Sequence, residues 1–324
     1  MNRVNWIDWA KALGILMVVM GHSNYDVPYL TEMIFMIHMP LFFFISGYLY
    51  KTNKTLKELT ISNFRTLILP YFLFNLLSAF FVIILGVYKF YMHIPMDWSE
   101  KLIVPLKNSL LGVPGNLLCG VTWFLLALVW CRYLTTLVHM KNKYISSVVL
   151  MFWLGLLIIR NTSECQFYYC FDSGLAGFIW FEVGYIVKNY CQKLVIPKWS
   201  RMVLIPGGGI LCFIALKYNG HCNYLSANFN GLIGIIGTGL GLVSFFSLCK
   251  LLDSLHWKII EKVSTASILI MGLHMIIMLP MQKLCHYQYH IIVTFIGDMF
   301  IVLIITFIYP WVQRYIPSLI GYRK

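Results

Sequence analysis

The chain has 324 residues, of which 60% are hydrophobic and only 11% charged. Soluble domains carry about 25% charged residues, so the composition excludes an ordinary soluble enzyme and indicates a polytopic membrane protein. A formal charge of +13 raises nucleic acid as a partner, but the placement of the basic residues argues against it.

Runs of about twenty apolar residues predict ten spans near 6–24, 33–50, 67–87, 122–140, 144–160, 174–189, 201–217, 229–250, 264–282 and 291–312. Cytoplasmic segments are enriched in Lys and Arg. With the N-terminus inside, the inner segments hold 17 of the 25 basic residues: Arg3, Lys51, Lys54, Lys57, Arg65, Lys141, Lys143, Lys188, Lys193, Lys198, Arg201, Lys250, Lys258, Lys262, Arg314, Arg323 and Lys324. The outer segments hold 6, and Lys11 and Arg132 fall inside spans. The expectation is an all-α polytopic membrane protein of about ten transmembrane helices with both termini cytoplasmic, and no nucleic-acid partner. The first hydrophobic run contains Asp8 and Lys11 and lacks a small-residue cleavage pattern, so it does not read as a signal peptide. No internal repeat, low-complexity linker or second soluble domain is evident, and 1–324 reads as a single transmembrane domain.

The first span carries Asp8, Lys11 and His22. Ionisable groups inside a membrane helix are rare and by default mark a functional path. At 3.6 residues per turn, Lys11 and His22 lie within roughly 20° of each other and Asp8 within about 40° of His22, with Lys11 and His22 about 16 Å apart along the axis. One face therefore holds a charged end, an apolar middle of Ile15, Val18 and Val19, and an imidazole. His38 lies in the outer part of the inward-running second span, where it could face His22. Arg65 opens the third span at the inner face, after three lysines. The outer connection 88–121 contains Pro95, Pro105 and Pro114, and its apolar stretch 102–111 is too short to cross, so it lies in the interface or re-enters.

Further along come Trp123, a candidate cavity wall, and Arg132 at mid-depth, which either contacts a ligand or pairs with Glu182 of the sixth span. Glu182 and His274, in the ninth span, reach the midplane. There they line a substrate path or brace the helices. Asn75 and Asp298 rank lower. Glycines at 231, 234, 237, 239 and 241 permit close helix approach. Nine cysteines show no CxxC or Cys/His ligand spacing, so no metal is indicated. Cys165 and Cys170 share an outer loop and could pair in an oxidising compartment, though free thiols are the simpler reading.

The second span reads Met36-Ile37-His38-Met39-Pro40-Leu41-Phe42-Phe43-Phe44-Ile45-Ser46-Gly47-Tyr48. Preceded by Asp8, Lys11 and Gly21-His22 and followed by RTLILPY from Arg65 to Tyr71, it resembles the acyltransferase 3 family of integral-membrane O-acyltransferases that modify sugars and surface polysaccharides. The family's basic-residue–ten–His spacing falls on Lys11 and His22. Weaker likeness runs through Trp123-Phe124-Leu125, FEVGYIVK from Phe181 to Lys188, and SILIMGLH from Ser267 to His274. Chains of this length without an appended soluble domain are similar to the enzymes that acetylate capsule, exopolysaccharide and lipopolysaccharide. The resemblance implies a bacterial plasma (inner) membrane protein, acetyl-CoA as acyl donor, and a glycan or lipid-linked sugar acceptor, in contact with membrane lipids. Self-association into a homo-oligomer is left open.

Acyl transfer to a sugar hydroxyl needs a base, donors for the developing oxyanion and a cationic grip on the acyl carrier. Imidazole suits the first task, so His22 is expected as general base or transient acyl carrier, with His38 assisting and Asp8 orienting Lys11. Arg offers bidentate recognition of phosphate. Arg65, Lys11 and Arg132 are accordingly the expected coenzyme A contacts, and Glu182, His274 and Trp123 the expected substrate contacts. Two rival readings remain. One is a proton-coupled transporter or glycan exporter using Asp8, Lys11, Glu182 and His274 as a relay; the other is an assembly subunit whose catalysis has decayed.

Overall fold

A computed structural model describes residues 3–23, 25, 27–140, 143–162, 167–191, 196–220, 222–229, 231–285 and 291–321. Cys165 lies outside these residues, as do Lys141, Lys193, Arg323 and Lys324 of the inner basic set. Among the described residues 82% are helical and none forms a strand, which bears out the all-α expectation. The helices are α1 Asn5–Gly21, α2 Leu30–Tyr48, α3 Leu56–Asn63, α4 Leu69–Tyr91, α5 Val104–Leu111, α6 Trp123–Val138, α7 Lys143–Thr162, α8 Phe171–Tyr190, α9 Lys198–Asn219, α10 Leu232–Leu251, α11 Lys258–Cys285 and α12 Ile291–Tyr315. Each of the ten expected stretches falls on a helix. Among the described residues, seven helical stretches are long and apolar enough to cross a membrane: 30–48, 56–91, 120–138, 198–219, 232–254, 258–281 and 291–315.

The third of the expected spans begins earlier than its apolar run suggests. Thr55 caps α3 in a reciprocal box, its hydroxyl accepting from Glu58 N and its own N–H donating to the Glu58 carboxylate at 2.9 Å. Helix then continues through a π turn, Phe64–Ile68, into α4. The turn has a local cause. Pro70 has no N–H for the Thr66 carbonyl, and Leu69 N reaches back to Phe64 O instead. A second π turn, Ser99–Ile103, likewise precedes Pro105. It leads into α5, which returns along α4, with Trp98 packed over Gly86 and Ser109 buried.

The chain packs as two compact units. The first comprises 1–50, 179–224 and 228–309, and the second 51–178, 225–227 and 310–324. In the first unit α1 is the core. Residues on every side of it are buried, among them Trp6, Asp8, Trp9, Ala12, Ile15, Val18 and Val19, as expected of a helix enclosed all round. It packs against α2, α10 and α11. By contrast α12 leaves Ile296 61% and Phe307 69% exposed, an apolar surface suited to lipid. α2 and α8 meet at two glycines. A Cβ on Gly47 would lie 1.8 Å from the Phe181 carbonyl oxygen, and one on Gly184 would lie 2.1 Å from that of Phe44. Within the glycine run of α10, Gly237 and Gly241 face Ala215 and Cys212 of α9.

Candidate functional site

At its N-terminal end α1 is stitched to α11. Arg3 donates to both oxygens of Asp8, at 2.6 and 3.2 Å, and to the Glu261 carbonyl at 2.7 Å. Ser264 Oγ donates to Asp8 Oδ1 at 2.6 Å. Asp8 is buried and its direct partners are Arg3 and Ser264. Lys11, one turn on, is half-buried and within electrostatic reach of Asp8 and Arg3. Arg3 was not singled out from the sequence. Its signal was a basic residue just ahead of a helix with an acid in the first turn.

The same face of α1 leads to His22, which caps the helix end and is half-buried. Its ring lies 5.3 Å from that of His274 (centroid to centroid, planes inclined by 36°) and 5.9 Å from Phe35. Phe35 in turn lies 5.4 Å from His38. The sequence suggested that His22 and His38 face each other. In the structure Phe35 touches both rings and it is His274 that makes ring contact with His22.

His38 and His274 are held in the same manner. His38 Nδ1 lies 2.7 Å from the Ile34 carbonyl, and His274 Nδ1 lies 3.0 and 2.8 Å from those of Ile270 and Met271. A carbonyl only accepts, so in the neutral ring each Nδ1 carries the proton and each Nε2 keeps a lone pair. The structure thus gathers His22, His38 and His274 around three helices of the first unit. Two of the rings are fixed in a proton-accepting tautomer.

The residues after His22 are anchored by a group that ranked low in the sequence. Asp298 of α12, fully buried, accepts 2.6 Å hydrogen bonds from Ser23 Oγ and Tyr25 OH. Beside Tyr25 lies an apolar hollow of about 260 Å³ bounded by Met20, Leu30, Ile291, Ile292 and Phe295. Glu182, also in the first unit, is half-buried on α8 between Phe181 and Gly184.

The second unit holds Arg65, Arg132 and Trp123. Arg65 projects from the π turn and is exposed. Arg132 Nη1 donates to Asn63 Oδ1 at 3.1 Å and to Thr66 Oγ1 at 3.2 Å, residues that flank Arg65. Trp123 is buried at the start of α6, edge-on to Phe124. Asn75, which also ranked low, organises the return of the outer connection. Its oxygen accepts from Ser109 Oγ and Cys119 N at 2.9 and 3.0 Å, and its amide donates to Tyr71 O and Thr122 Oγ1 at 2.8 and 3.0 Å. The buried Cys170 thiol donates to the Gly112 carbonyl. Among the described residues no cluster of His, Cys, Asp and Glu is arranged to hold a metal ion.

An all-helical fold with membrane-length apolar helices, one of whose two units gathers three imidazoles, defines an integral membrane protein with groups able to accept protons. The chain belongs to the acyltransferase 3 family, whose acyltransferase-domain model matches residues 4–313, nearly its whole length. No curated protein and no solved structure matches it significantly. The protein is therefore a membrane acyltransferase.

Proposed function

We propose that the protein transfers acetyl from cytoplasmic acetyl-CoA to a hydroxyl of a surface or exported polysaccharide sugar, or of its lipid-linked precursor. The setting is a bacterial plasma membrane, with both termini cytoplasmic and 1–324 acting as one domain. The observation that carries this reading is the cluster of His22, His38 and His274, two of whose rings are buried and present Nε2 lone pairs. His22, the half-buried member at a helix end, is the general base. The acceptor's O–H bond breaks as its proton passes to the imidazole, and the freed oxygen forms the ester bond to the acetyl carbon. The C–S bond then breaks, and the imidazolium proton goes to the departing thiolate. His38 supports the cluster, and Glu182 and Trp123 are held to line the acceptor's path.

The donor's phosphates call for cations. Arg65, with Arg132 bonded to the residues that flank it, and Lys11 at the charged end of α1 are the proposed contacts. The depth separating Lys11 from His22, about 16 Å along the helix, supports a donor bound at the inner side with chemistry toward the outer side.

The test is radiolabelled acetyl transfer by purified, reconstituted protein. His22→Ala is expected to lose about 10²–10⁴-fold in kcat, the usual worth of a general base; normal turnover in that variant would remove the assignment. Ion-gradient-driven sugar flux with no acetyl transfer would replace the reading with a transporter. In sealed inverted vesicles, acetylation confined to acceptors on the acetyl-CoA side would refute the transmembrane geometry alone.

A further inference from the structure

We infer that His274 is the positioning residue for His22. Once the His22 ring turns toward it, its Nε2 accepts an N–H from that ring and so fixes which His22 nitrogen keeps the lone pair offered to the acceptor hydroxyl. This rests on His22 being the base proposed above.

Three observations converge on it. First, His274 cannot turn. Its Nδ1 sits between the Ile270 and Met271 carbonyls at 3.0 and 2.8 Å, which commits that nitrogen to donating and Nε2 to accepting. Second, His274 is fully buried, and its Nε2 has no hydrogen-bond partner among the described residues. Buried polar atoms are nearly always paired, and an unpaired one calls for an explanation in function. A Leu or Phe would fill the same volume without leaving a nitrogen unsatisfied. Third, the neighbouring ring is His22, at 5.3 Å between centroids. An N–H···N bond of about 3 Å between two imidazoles places their centroids roughly 5 Å apart. The two rings thus already stand at hydrogen-bonding separation, and closing the bond calls for a turn of a ring rather than an approach of the helices.

The side chain that turns is His22. Its ring has no hydrogen bond among the described residues, and it sits half-buried at the end of α1. A fixed acceptor beside a rotatable base selects the tautomer of the base, the service that a buried carboxylate gives to histidine in hydrolytic triads. His38 is less suited to this task, since Phe35 makes ring contact with both it and His22.

The experiment uses the full-length protein in lipid nanodiscs with 15N-labelled histidine. The nine histidines are resolved by solid-state NMR, and His22 and His274 are assigned with His22→Gln and His274→Gln. A protonated Nδ1 and a bare Nε2 on His274 are expected, with a nitrogen–nitrogen coupling to His22. His274→Phe is expected to leave His22 as a mixture of tautomers. Its kcat for acetyl transfer should fall roughly 10–100-fold, since loss of tautomer control in a triad is worth up to about 10⁴, while KM for acetyl-CoA stays within about twofold. His274→Gln, whose amide oxygen reaches the position of Nε2, should restore most of the rate. That recovery separates lost acceptance from misfolding. An Nε2–H tautomer at His274, or a His22 tautomer unchanged by His274→Phe, would overturn the proposal. Wild-type protein that shows the coupling but transfers no acyl group would instead refute the acyltransferase mechanism and leave the pairing intact.

Discussion

Gly47→Ala tests the seam between α2 and α8. The new Cβ would lie 1.8 Å from the Phe181 carbonyl oxygen, 2.7 Å from its carbon and 3.0 Å from its Cα. All three are backbone atoms, so no side chain can swing aside. Restoring a 3.4 Å contact requires the helices to part by about 1.6 Å. That loosens Phe43, Phe44 and Phe181, which are nearly or wholly enclosed. Overpacking of this kind costs typically 1–3 kcal/mol, and an obstacle made of backbone belongs at the upper end. Alanine recovers about 1 kcal/mol over glycine within a helix. The expected net loss is about 2 kcal/mol, or, at about 2.1 cal/mol/K of unfolding entropy per residue, a melting point lower by roughly 3 °C, read by thermal unfolding of detergent-solubilised protein. Gly184→Ala opens the same seam from the other side, so the double variant should lose less than the sum of the singles. Gly155→Ala, where nothing lies within 4 Å of the new atom, is the control and should melt at or above the parent temperature. A Gly47→Ala protein as stable as the parent would refute the close-contact reasoning.

Three further outcomes follow from the same geometry. Under the proposed donor site, Arg65→Ala should raise KM for acetyl-CoA with kcat little changed at saturating donor; a large loss of turnover there would count against a phosphate-gripping role. Asp298→Ala removes the acceptor of two short hydrogen bonds, from Ser23 Oγ and Tyr25 OH, and should destabilise the protein by about 1–3 kcal/mol, at roughly 0.5–1.5 net per bond, because Ser23 Oγ keeps the Val19 carbonyl at 3.2 Å. An unchanged melting curve would show that those residues are anchored elsewhere. Asn75→Ala removes four hydrogen bonds from a buried position and should cost at least about 2 kcal/mol. It should also speed protease cleavage within the 92–121 connection, and a cleavage rate equal to that of the parent would contradict it.

Much of this arrangement was legible along the chain, and the parts that were not share a cause. Apolar run length located ten helical stretches, and helical periodicity put Asp8, Lys11 and His22 on one side of α1, a helix that the fold encloses all round. Periodicity says which way a residue faces but not what it faces. His38 is the nearer histidine in sequence, and so it was the expected partner of His22. The ring contact comes instead from His274, 252 positions away, because α11 packs along α1. Asp298 ranked low for the same reason, its two donors lying at the far end of the chain. The early start of the third helical stretch had a readable signal in Thr55-x-x-Glu58. Hydropathy overlooked it because Lys57, Glu58 and Thr60 make that first part polar.

The knot of Arg3, Asp8 and Ser264 bears on how the protein moves. Asp8 meets Ser264, and further along, in the same order, His22 meets His274, so α1 and α11 travel side by side in one direction, clamped at their origins. Any rocking that admits a substrate has to carry this helix pair as a single rod. The spacing of the two imidazoles is thereby insulated from the breathing of the surrounding bundle.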